Sequence, residues 1–449
     1  MSAKFVGSIL LCLSLGAAAV GQQSASQQSA PLRLTMEEAI HRGLQANLSV
    51  LVAESRSAEA RGTTERRRSL LLPRVEVQAP VAVQSRSLVA QGISLPHLPL
   101  PEVVGPFSTY DARAYADQPV WDMQLIHGVR AAQRSEAALQ AQYQDARDLV
   151  IRNVAALYLS AQAQQAETTA AESRVDTAKV LLKLARDQRE AGIATGIDVL
   201  RAEVQLANEE QSEVSARNLA AGSLLTLARN IGIEPGTPIA LADALEFHAL
   251  AEVNAEGAEP EALRKRPDYQ ALLRQHESLA EQLRASRARF LPKLDLSGNY
   301  GGIGRNLGSM RSTGTAQAAL SITVFDRDRE GEEAQILAQM RSVDRQLADA
   351  QLGVQQEIRQ ALLDLDSAAR EVSVSGAGLE LAQKELDLAQ LRFSQGVTDN
   401  IEVTSAQDAL SRAQQNQIVA LTHHASARIS LARAMGNTEA TYAKYLGGR

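Results

Sequence analysis

The chain has 449 residues, more than one compact core usually encloses, so several domains or one elongated body are expected. Aromatic residues account for only 3% of the chain while Ala, Gln, Leu, Arg and Glu dominate, which favours long packed helices over an aromatic-filled core. The net charge of -6 offers no basic surface of the kind that nucleic-acid binding requires, so no nucleic acid is expected as a partner.

The first residues indicate a secretory signal peptide, which we predict over residues 1–19. Lys4 supplies a positive start, the apolar stretch that follows is too short to span a bilayer, and the alanines at 17–19 offer a cleavage site. The only cysteine, Cys12, lies inside this segment, so the mature protein is predicted to have no disulfide and no lipid anchor. A flexible N-terminus is predicted over residues 20–34.

The rest of the chain contains two copies of one unit. Leu-Pro-Arg-Val-Glu-Val at 72–77 is matched by Leu-Pro-Lys-Leu-Asp-Leu at 291–296. Gly-Ile and Ile-Asp-Val within 192–199 are matched by Gly-Val and Ile-Glu-Val within 396–403. The interval between these two markers is longer and richer in proline in the first copy, which indicates a duplicated unit with one enlarged loop.

Each copy is predicted to consist of a helix, a pair of strands and a long helical hairpin. A connector that is richer in Gly and Pro separates the copies, and we expect it to pack around the middle of the molecule. The predicted boundaries are 35–231 for the first copy (helix about 35–71, strand pair 74–121, hairpin 122–231), 232–260 for the connector, 261–436 for the second copy (helix about 261–289, strand pair 293–325, hairpin 326–436) and 437–449 for a C-terminal tail.

The predicted strands alternate with period two. Val75 and Val77 are apolar while Glu76 and Gln78 are polar, and the same alternation recurs around Leu296 in the second copy. One apolar face and one polar face suit a strand that lies between lipid and a water-filled lumen. A half-buried hairpin of a soluble protein gives the same pattern, so the strands alone leave both readings open.

The predicted hairpins are unusually long. Residues from 122 to about 191 contain no proline, and apolar positions from Leu139 to Leu157 follow in steps of three and four. Seventy residues of helix extend roughly 105 Å, which no single-chain globule matches. A return helix follows a short Gly-marked turn in each copy, and the many alanines let neighbouring helices approach closely, so antiparallel coiled-coil hairpins are predicted.

Taken together, the signal peptide, the duplicated order of elements and the twice-occurring motif Gly-x-x-x-x-Ile-acid-Val resemble the TolC-like outer-membrane efflux proteins. The resemblance covers essentially the whole mature chain. It implies a passive outer-membrane channel of a tripartite efflux or type I secretion system, which conducts small molecules or exported substrates from the periplasm to the exterior. The implied fold is mainly α, with long helical hairpins forming a periplasmic tunnel and a membrane β-barrel portion.

The strand count sets the expected assembly. Four strands per chain cannot close a barrel, and an open sheet edge is not tolerated in lipid. Two copies would give eight strands around an interior filled by side chains, whereas three copies give twelve strands and room for a lumen. The resemblance implies such a homotrimer, with outer-membrane lipid, a periplasmic adaptor (membrane fusion) protein and an inner-membrane transporter as partners. Residues 85–108 and 305–314 are predicted to be the outward-facing loops.

The resemblance places the two hairpin turns at the periplasmic tips, where the family meets its adaptor. The candidate contact residues are Gly192 and Gly196 in the first turn and Gly396 and Asn400 in the second. The alternative reading is that each Gly ends one helix and that polar residues cap the next helix.

The resemblance also indicates a tunnel entrance just beyond these turns. The family has two acidic residues three positions apart after the second turn, and this chain has Glu402 and Ser405 there. The second copy thus keeps only one of the two acids of a double acidic ring, and the corresponding residues of the first copy are Asp198 and Arg201. The alternative reading of Asp198 and Glu402 is a carboxylate in the first turn of a helix, where the macrodipole favours negative charge.

Four aromatic residues are candidates for the membrane interface, where amphipathic rings are favoured. They are Tyr110, Tyr115, Trp121 and Phe325. Packing inside a soluble sheet is the alternative for this set.

Motifs of catalysis are missing from the sequence, which has no H-E-x-x-H and no phosphate-binding G-x-x-x-x-G-K. His423 and His424 are adjacent on a predicted helix and point in different directions, so they are not expected to share a metal. We therefore expect no enzyme activity, no cofactor and no metal. The alternative function is a soluble periplasmic coiled-coil adaptor or scaffold of an export complex, which predicts one hairpin and no lipid-facing band of strands.

Overall fold

The computed structural model describes residues 31–92, 101–249, 255–398, 400–436, 438–439 and 442. The predicted signal peptide, 1–19, and most of the predicted flexible N-terminus lie outside the described residues. The elements, in chain order, are β1 (Leu32–Leu34), α1 (Met36–Ala46), α2 (Leu48–Ser69), β2 (Arg74–Gln78), β3 (Val81–Ser87), β4 (Val103–Trp121), α3 (Met123–Glu190), α4 (Gly196–Asn230), β5 (Ile239–Leu241), α5 (Ala255–Lys265), α6 (Pro267–Arg287), β6 (Lys293–Gly304), β7 (Arg311–Ser321), α7 (Asp328–Ser394) and α8 (Asn400–Ala434).

The opening helix of each copy differs from the prediction, because each is divided in two. Between α1 and α2, Asn47 adopts an extended conformation and its Oδ1 accepts a hydrogen bond from the Ser49 N–H at 3.0 Å, which caps the second helix. Between α5 and α6, Arg266 is extended because it precedes Pro267, which disfavours a helical residue before it. The helix predicted to begin near Glu261 also starts earlier, at Ala255.

One antiparallel sheet of five segments has the order β2-β4-β6-β7, with β3 pairing along the same edge of β4 as β2. Pro80 separates β2 from β3, since proline has no N–H to donate to a ladder. The two segments therefore occupy the place of one strand, so the sheet of this chain is four strands wide. The strands extend further into the predicted loops than expected: β3 reaches Ser87, β4 begins at Val103 and β7 begins at Arg311.

Two long helical hairpins, α3/α4 and α7/α8, form the other end of the molecule. The helices α3 and α7 have 68 and 67 residues, which at 1.5 Å per residue gives rods of roughly 100 Å. The helices α4 and α8 have 35 residues each and cover only the half of the rods far from the sheet. In the half near the sheet, α2 and α6 pack beside α3 and α7 instead.

The two hairpins share an apolar core near their turns. Small and branched side chains interlock there, and Phe393 is 3% exposed among them. The shared core residues are Leu181, Leu182, Ala185, Val199, Ala202, Ala382, Leu386, Ala389, Phe393, Val403, Ala406 and Leu410. Because all four helices contribute to this core, the ends of the hairpins pack as one bundle.

A second core lies halfway along α3. The strands β1 and β5 pair in parallel there and cover the helix, and Leu34 is fully buried. The buried Tyr158 hydroxyl donates a hydrogen bond to the Leu34 carbonyl or to Asp243 Oδ2, both at 2.9 Å. Tyr158 therefore attaches the N-terminal strand and the segment after β5 to the middle of the rod.

Buried charges near the same level join the two copies. Arg433 on α8 lies 2.5 Å from Asp145, 3.6 Å from Asp148 and 3.4 Å from Asp268. Arg433 is 7% exposed and Asp148 is 3% exposed, so these charges are compensated by each other rather than by water. Arg266 continues the network through an ion pair with Asp268 at 2.6 Å.

Candidate functional site

The sheet has one polar face, built from alternate residues of neighbouring strands. In the ladder, Arg113 lies opposite Gly301, and Tyr115 lies opposite Asn299, which in turn lies opposite Thr315. Directly paired residues project from the same face, so these side chains share one side of the sheet. Glu76 and Gln78 of β2 lie opposite Tyr115 and Arg113 and extend the polar face to the edge.

Hydrogen bonds cross this polar face from strand to strand. Arg113 Nε donates to Asp111 Oδ1 at 2.6 Å, and its Nη1 donates to Asn299 Oδ1 at 3.2 Å. Asn299 Nδ2 then donates to Thr315 Oγ1 at 2.5 Å. Charged and amide groups are therefore satisfied by each other across β4, β6 and β7, on a surface that suits contact with water.

The opposite face of the sheet is apolar and open. Val75 and Val77 of β2 lie opposite alanines of β4, and Leu320 of β7 lies opposite Leu294. Val77 is 75% exposed and Leu320 is 74% exposed, although both belong to residue types that proteins normally bury. A contiguous exposed apolar face of this kind marks a surface that contacts something other than water.

Both edges of the sheet are open in a single protomer. Within the part of the chain that the structure describes, β7 pairs only with β6, and β2 and β3 pair only with β4. The outer N–H and C=O groups of these edge strands are thus available to another chain.

The structure separates the four predicted interface aromatics. Tyr110 lies in the interior of β4 opposite Val81, on the apolar face. Tyr115 lies on the polar face, where the Arg113 guanidinium is 5.5 Å from the centre of its ring, so it is on the opposite side of the sheet from Tyr110. Trp121 ends β4, pairs with Leu294 after a bulge and is 56% exposed, and Phe325 lies beyond the end of β7 and is 83% exposed.

The first hairpin turn is built by Gly192 and a capping box. Gly192 has a φ of 74°, a left-handed conformation that glycine adopts without strain, and the next N–H, of Ile193, donates to the Gln188 carbonyl at 2.9 Å. Thr195 then begins α4: its N–H and its hydroxyl both donate to Asp198 Oδ2, at 2.9 and 2.6 Å. Gly196 is the first residue of α4.

Asp198 therefore has a capping role in the structure. The hydrogen bonds from the Thr195 hydroxyl and backbone N–H hold the pKa of Asp198 below its ordinary value. Arg201 lies 3.8 Å from the same carboxylate, so the two predicted gate residues of the first copy are brought together as an ion pair. Asp198 thus lies in the first turn of α4, as the alternative interpretation predicts, and it forms a capping box with Thr195.

The second turn repeats the plan with different partners. Gly396 has a φ of 72°, and the Val397 N–H donates to the Arg392 carbonyl at 3.0 Å. The Thr398 hydroxyl donates to Glu402 Oε2, and Arg392 Nε lies 3.5 Å from Glu402 Oε1. Glu402 is therefore held within its own hairpin.

The remaining candidates of the second turn differ in their exposure. Ser405 is exposed on α8, one turn beyond Glu402. Asn400 is the first residue of α8, and its side chain lies outside the described part of the chain.

The two turns lie side by side at one end of the molecule. A Cβ added to Gly396 would lie 3.4 Å from Ile193 Cγ2, and Gln188 Nε2 donates to the Phe393 carbonyl at 2.8 Å. Around them, Ile193, Ile197 and Val397 are 64%, 52% and 64% exposed. We call these three side chains the apolar tip; they are more than half exposed although they adjoin the shared core.

Sequence reasoning missed several of these contacts. The Thr-x-x-Asp spacing of residues 195–198 was an available signal for the capping box. The hydrogen bond between Arg113 and Asn299 and the Arg433 network join residues far apart in the chain, so local sequence contains no signal for them. No three or more His, Cys, Asp or Glu residues within the described ranges are grouped to hold a metal ion. Similarly, none of the described helices is both long and apolar enough to cross a bilayer.

The family model described as outer membrane efflux protein matches residues 39–233 and 260–437, which together make up most of the chain. The chain belongs to the outer membrane efflux protein family. The resemblance inferred from the sequence is thereby confirmed, and the matched ranges contain the sheet, both hairpins and the apolar tip.

Relatives within the efflux family are similar at moderate identity. The probable efflux pump outer membrane protein TtgC of Pseudomonas putida is 25% identical over 296 residues, covering 64% of this chain and 60% of the relative. Protein CyaE of Bordetella pertussis is 28% identical over 324 residues, covering 69% and 66%. The pyoverdine export outer membrane protein OpmQ of Pseudomonas aeruginosa is 26% identical over 297 residues, covering 64% and 61%. The chain thus spans about 60% of the length of TtgC.

Solved structures show the fold of the efflux family for nearly the whole chain. The outer-membrane channel OprN matches with a TM-score of 0.76 at 18% identity, covering 89% of each chain. The outer membrane protein VceC of Vibrio cholerae matches with a TM-score of 0.75 at 17% identity, covering 89% of this chain and 96% of that one. The prediction of a mainly helical fold with long hairpins and a strand portion is therefore confirmed.

Proposed function

We propose that this protein is the outer-membrane channel of a tripartite efflux or type I secretion system. It acts as a passive conduit that offers solutes a water-filled path from the periplasm to the exterior. It catalyses no reaction, and an inner-membrane transporter and a periplasmic adaptor supply the energy and the cargo.

The observation that carries the proposal is a four-stranded sheet with two open edges, one polar face and one apolar face. In lipid, unpaired edge groups cost several kcal/mol each, so each edge needs a neighbour. Pairing β7 of one copy with β2 and β3 of the next is a head-to-tail contact that closes into a ring. Three copies give twelve strands, with the polar faces around a lumen and the apolar faces toward lipid.

An exposed apolar stripe on α7 supports the same assembly. Leu352, Leu363 and Val374 follow at intervals of eleven residues, and Leu381 and Leu388 at intervals of seven, so all five lie near one face of the helix. Each is more than 60% exposed in the single chain. A tunnel made of helices from three copies would cover this stripe with the neighbouring protomer.

The apolar tip supports docking of an adaptor. Ile193, Ile197 and Val397 stand at the end of the bundle farthest from the sheet, where they are open to a partner. Exposed apolar groups at the end of a rigid rod are suited to reversible contact with another protein's helical hairpin. Gly192 and Gly396 contribute by setting the turns that present these side chains.

The named relatives favour small-molecule cargo. One relative is a probable efflux pump outer membrane protein, and another is a pyoverdine export outer membrane protein. In the proposed assembly, a polar lumen would leave the choice of substrate to the transporter and the adaptor. The alternative function, a soluble periplasmic adaptor, is less well supported, because the apolar face of the sheet would then be exposed to water.

The proposal is tested by the mass of the protein extracted from membranes in detergent. Light scattering coupled to gel filtration is expected to give three chains per particle, in an elongated particle that aggregates when the detergent is removed. A monomer that stays dispersed without detergent would refute the shared barrel and, with it, the channel.

A further inference from the structure

A buried cationic cluster lies on α8, under the segment that follows β5. His424 and Arg428 are 2% and 4% exposed and stand one helical turn apart on the same face of α8. The ring of Phe247 covers His424 at 4.6 Å between ring centres, and the neighbouring His248 is exposed. His424 thus lies between the guanidinium of Arg428 on one side and Phe247 with its neighbour His248 on the other.

Arg428 differs from the other buried arginines in its partners. Arg433, five residues further along α8, has three carboxylates within 4 Å, and Arg266 has two. Among the described residues, none of the carboxylates comes that close to Arg428, and its fully buried Nε has no hydrogen-bond acceptor. Arg428 is thus a desolvated guanidinium without a counter-ion in the described part of the protein.

Such an arrangement is costly in free energy, because a buried charge without a partner loses its hydration and gains no ion pair. Burial lowers the pKa of Arg428, but a guanidinium stays protonated in proteins at any working pH, so loss of a proton does not relieve the cost. Burial and the nearby Arg428 and His248 also lower the pKa of His424. A neutral imidazole still donates one N–H, so His424 adds a donor beside the guanidinium.

We propose that Arg428, His424 and His248 form a binding site for a small oxyanion of the phosphate or sulfate type. A guanidinium presents parallel N–H groups whose spacing matches two oxygens of such an ion. The bound anion would neutralise Arg428 and fasten the segment around Phe247 to α8. A metal cation is excluded from the site by the charge of Arg428.

The test uses the full chain, purified in detergent, and inorganic phosphate as the probe. Thermal unfolding is compared in millimolar phosphate and in chloride at equal ionic strength and pH. Phosphate is expected to raise the Tm by at least about 2 °C, because a ligand that binds only the folded state stabilises that state. Arg428→Gln should abolish the shift, and Arg412→Gln, an exposed arginine on the same helix, should leave it unchanged.

Equal Tm values of the unmodified protein in phosphate and in chloride would overturn the proposal. The same conclusion would follow if Arg428→Gln kept the full shift, since phosphate also stabilises proteins without binding a site. His248→Gln provides a second variant if Arg428→Gln fails to fold: His248 is exposed, and its loss should weaken phosphate binding several-fold in calorimetric titration. Because the readout is stability rather than transport, the result is independent of the proposed channel.

Discussion

At the residue scale, close backbone contacts and local hydrogen bonds fix the two ends of the molecule. In the sheet, Gly301 of β6 lies close to the backbone of β4: an added Cβ would lie 2.2 Å from the Ala112 carbonyl oxygen and 2.6 Å from the Arg113 Cα. At the other end, the Asp198 carboxylate organises the start of α4. Substitution of either residue is therefore expected to have a local effect on stability.

We expect Gly301→Ala to destabilise the sheet by about 1–3 kcal/mol, because its Cβ meets backbone that must move apart. Thermal unfolding of the detergent-purified protein measures this loss. Gly308→Ala is the matched control, since a Cβ there lies at an ordinary 3.7 Å from Asn306 Oδ1. Equal stability of the two variants would show that the β4–β6 contact is looser than the structure indicates.

We expect Asp198→Asn to destabilise the first turn of α4 by about 1 kcal/mol at neutral pH. Because the first turn then opens more often, its backbone amides should exchange about fivefold faster. Hydrogen exchange with mass spectrometry measures this difference, with the exposed Glu210→Gln on the same helix as control. The folded pKa of Asp198 is depressed, so its contribution is present above the unfolded pKa and disappears as the pH falls through the folded value. The variant and the parent protein should therefore exchange alike at sufficiently low pH.

At the element scale, charges that are distant in sequence tie the helices together. The Arg433 network joins α8 to Asp145 and Asp148 of α3 and to Asp268 of α6. Burial raises the pKa of both Asp145 and Asp148, and the nearby positive charge of Arg433 acts in the opposite direction. The two hairpins are thus coupled at mid-height by ion pairs and near their ends by the shared apolar core.

We expect Arg433→Gln to destabilise the protein by about 3–5 kcal/mol, because it leaves buried carboxylates without their cation. Thermal or chemical unfolding in detergent measures the effect. Arg370→Gln is the control, since Arg370 pairs with Asp366 on an exposed surface and its loss should cost at most about 1 kcal/mol. If both variants unfolded alike, the network would not couple the helices.

The elements were predictable from sequence to different degrees. Period-two alternation and the long proline-free runs located the sheet strands and the hairpins, because these patterns are local and strongly repeated. The divisions at Asn47 and Arg266 were not predicted, although Asn as a cap and Pro267 as a breaker were visible signals. Likewise, the face on which Tyr115 lies depends on strand register, which hydrogen bonding between distant segments determines.

At the scale of the whole molecule, the exposed surfaces of the single chain support the proposed assembly. Three features are unfavourable in water for an isolated chain: the apolar face of the sheet, its two open edges and the exposed apolar stripe on α7. The proposed ring of copies in lipid would cover each of them, with lipid on the apolar face and neighbouring copies on the edges and the stripe. In the proposed assembly, the two faces of the sheet therefore meet different solvents, with lipid on the apolar face and water on the polar face.

Cysteine labelling of adjacent residues in β2 tests that claim most directly. The only native cysteine, Cys12, lies in the predicted signal peptide, so Val77→Cys and Gln78→Cys each give a single labelling site, on the apolar and the polar face. In proteoliposomes, we expect a fluorophore at position 77 to be quenched by brominated lipid and one at position 78 by water-soluble iodide. Equal quenching of both positions by iodide, with none by brominated lipid, would contradict the account.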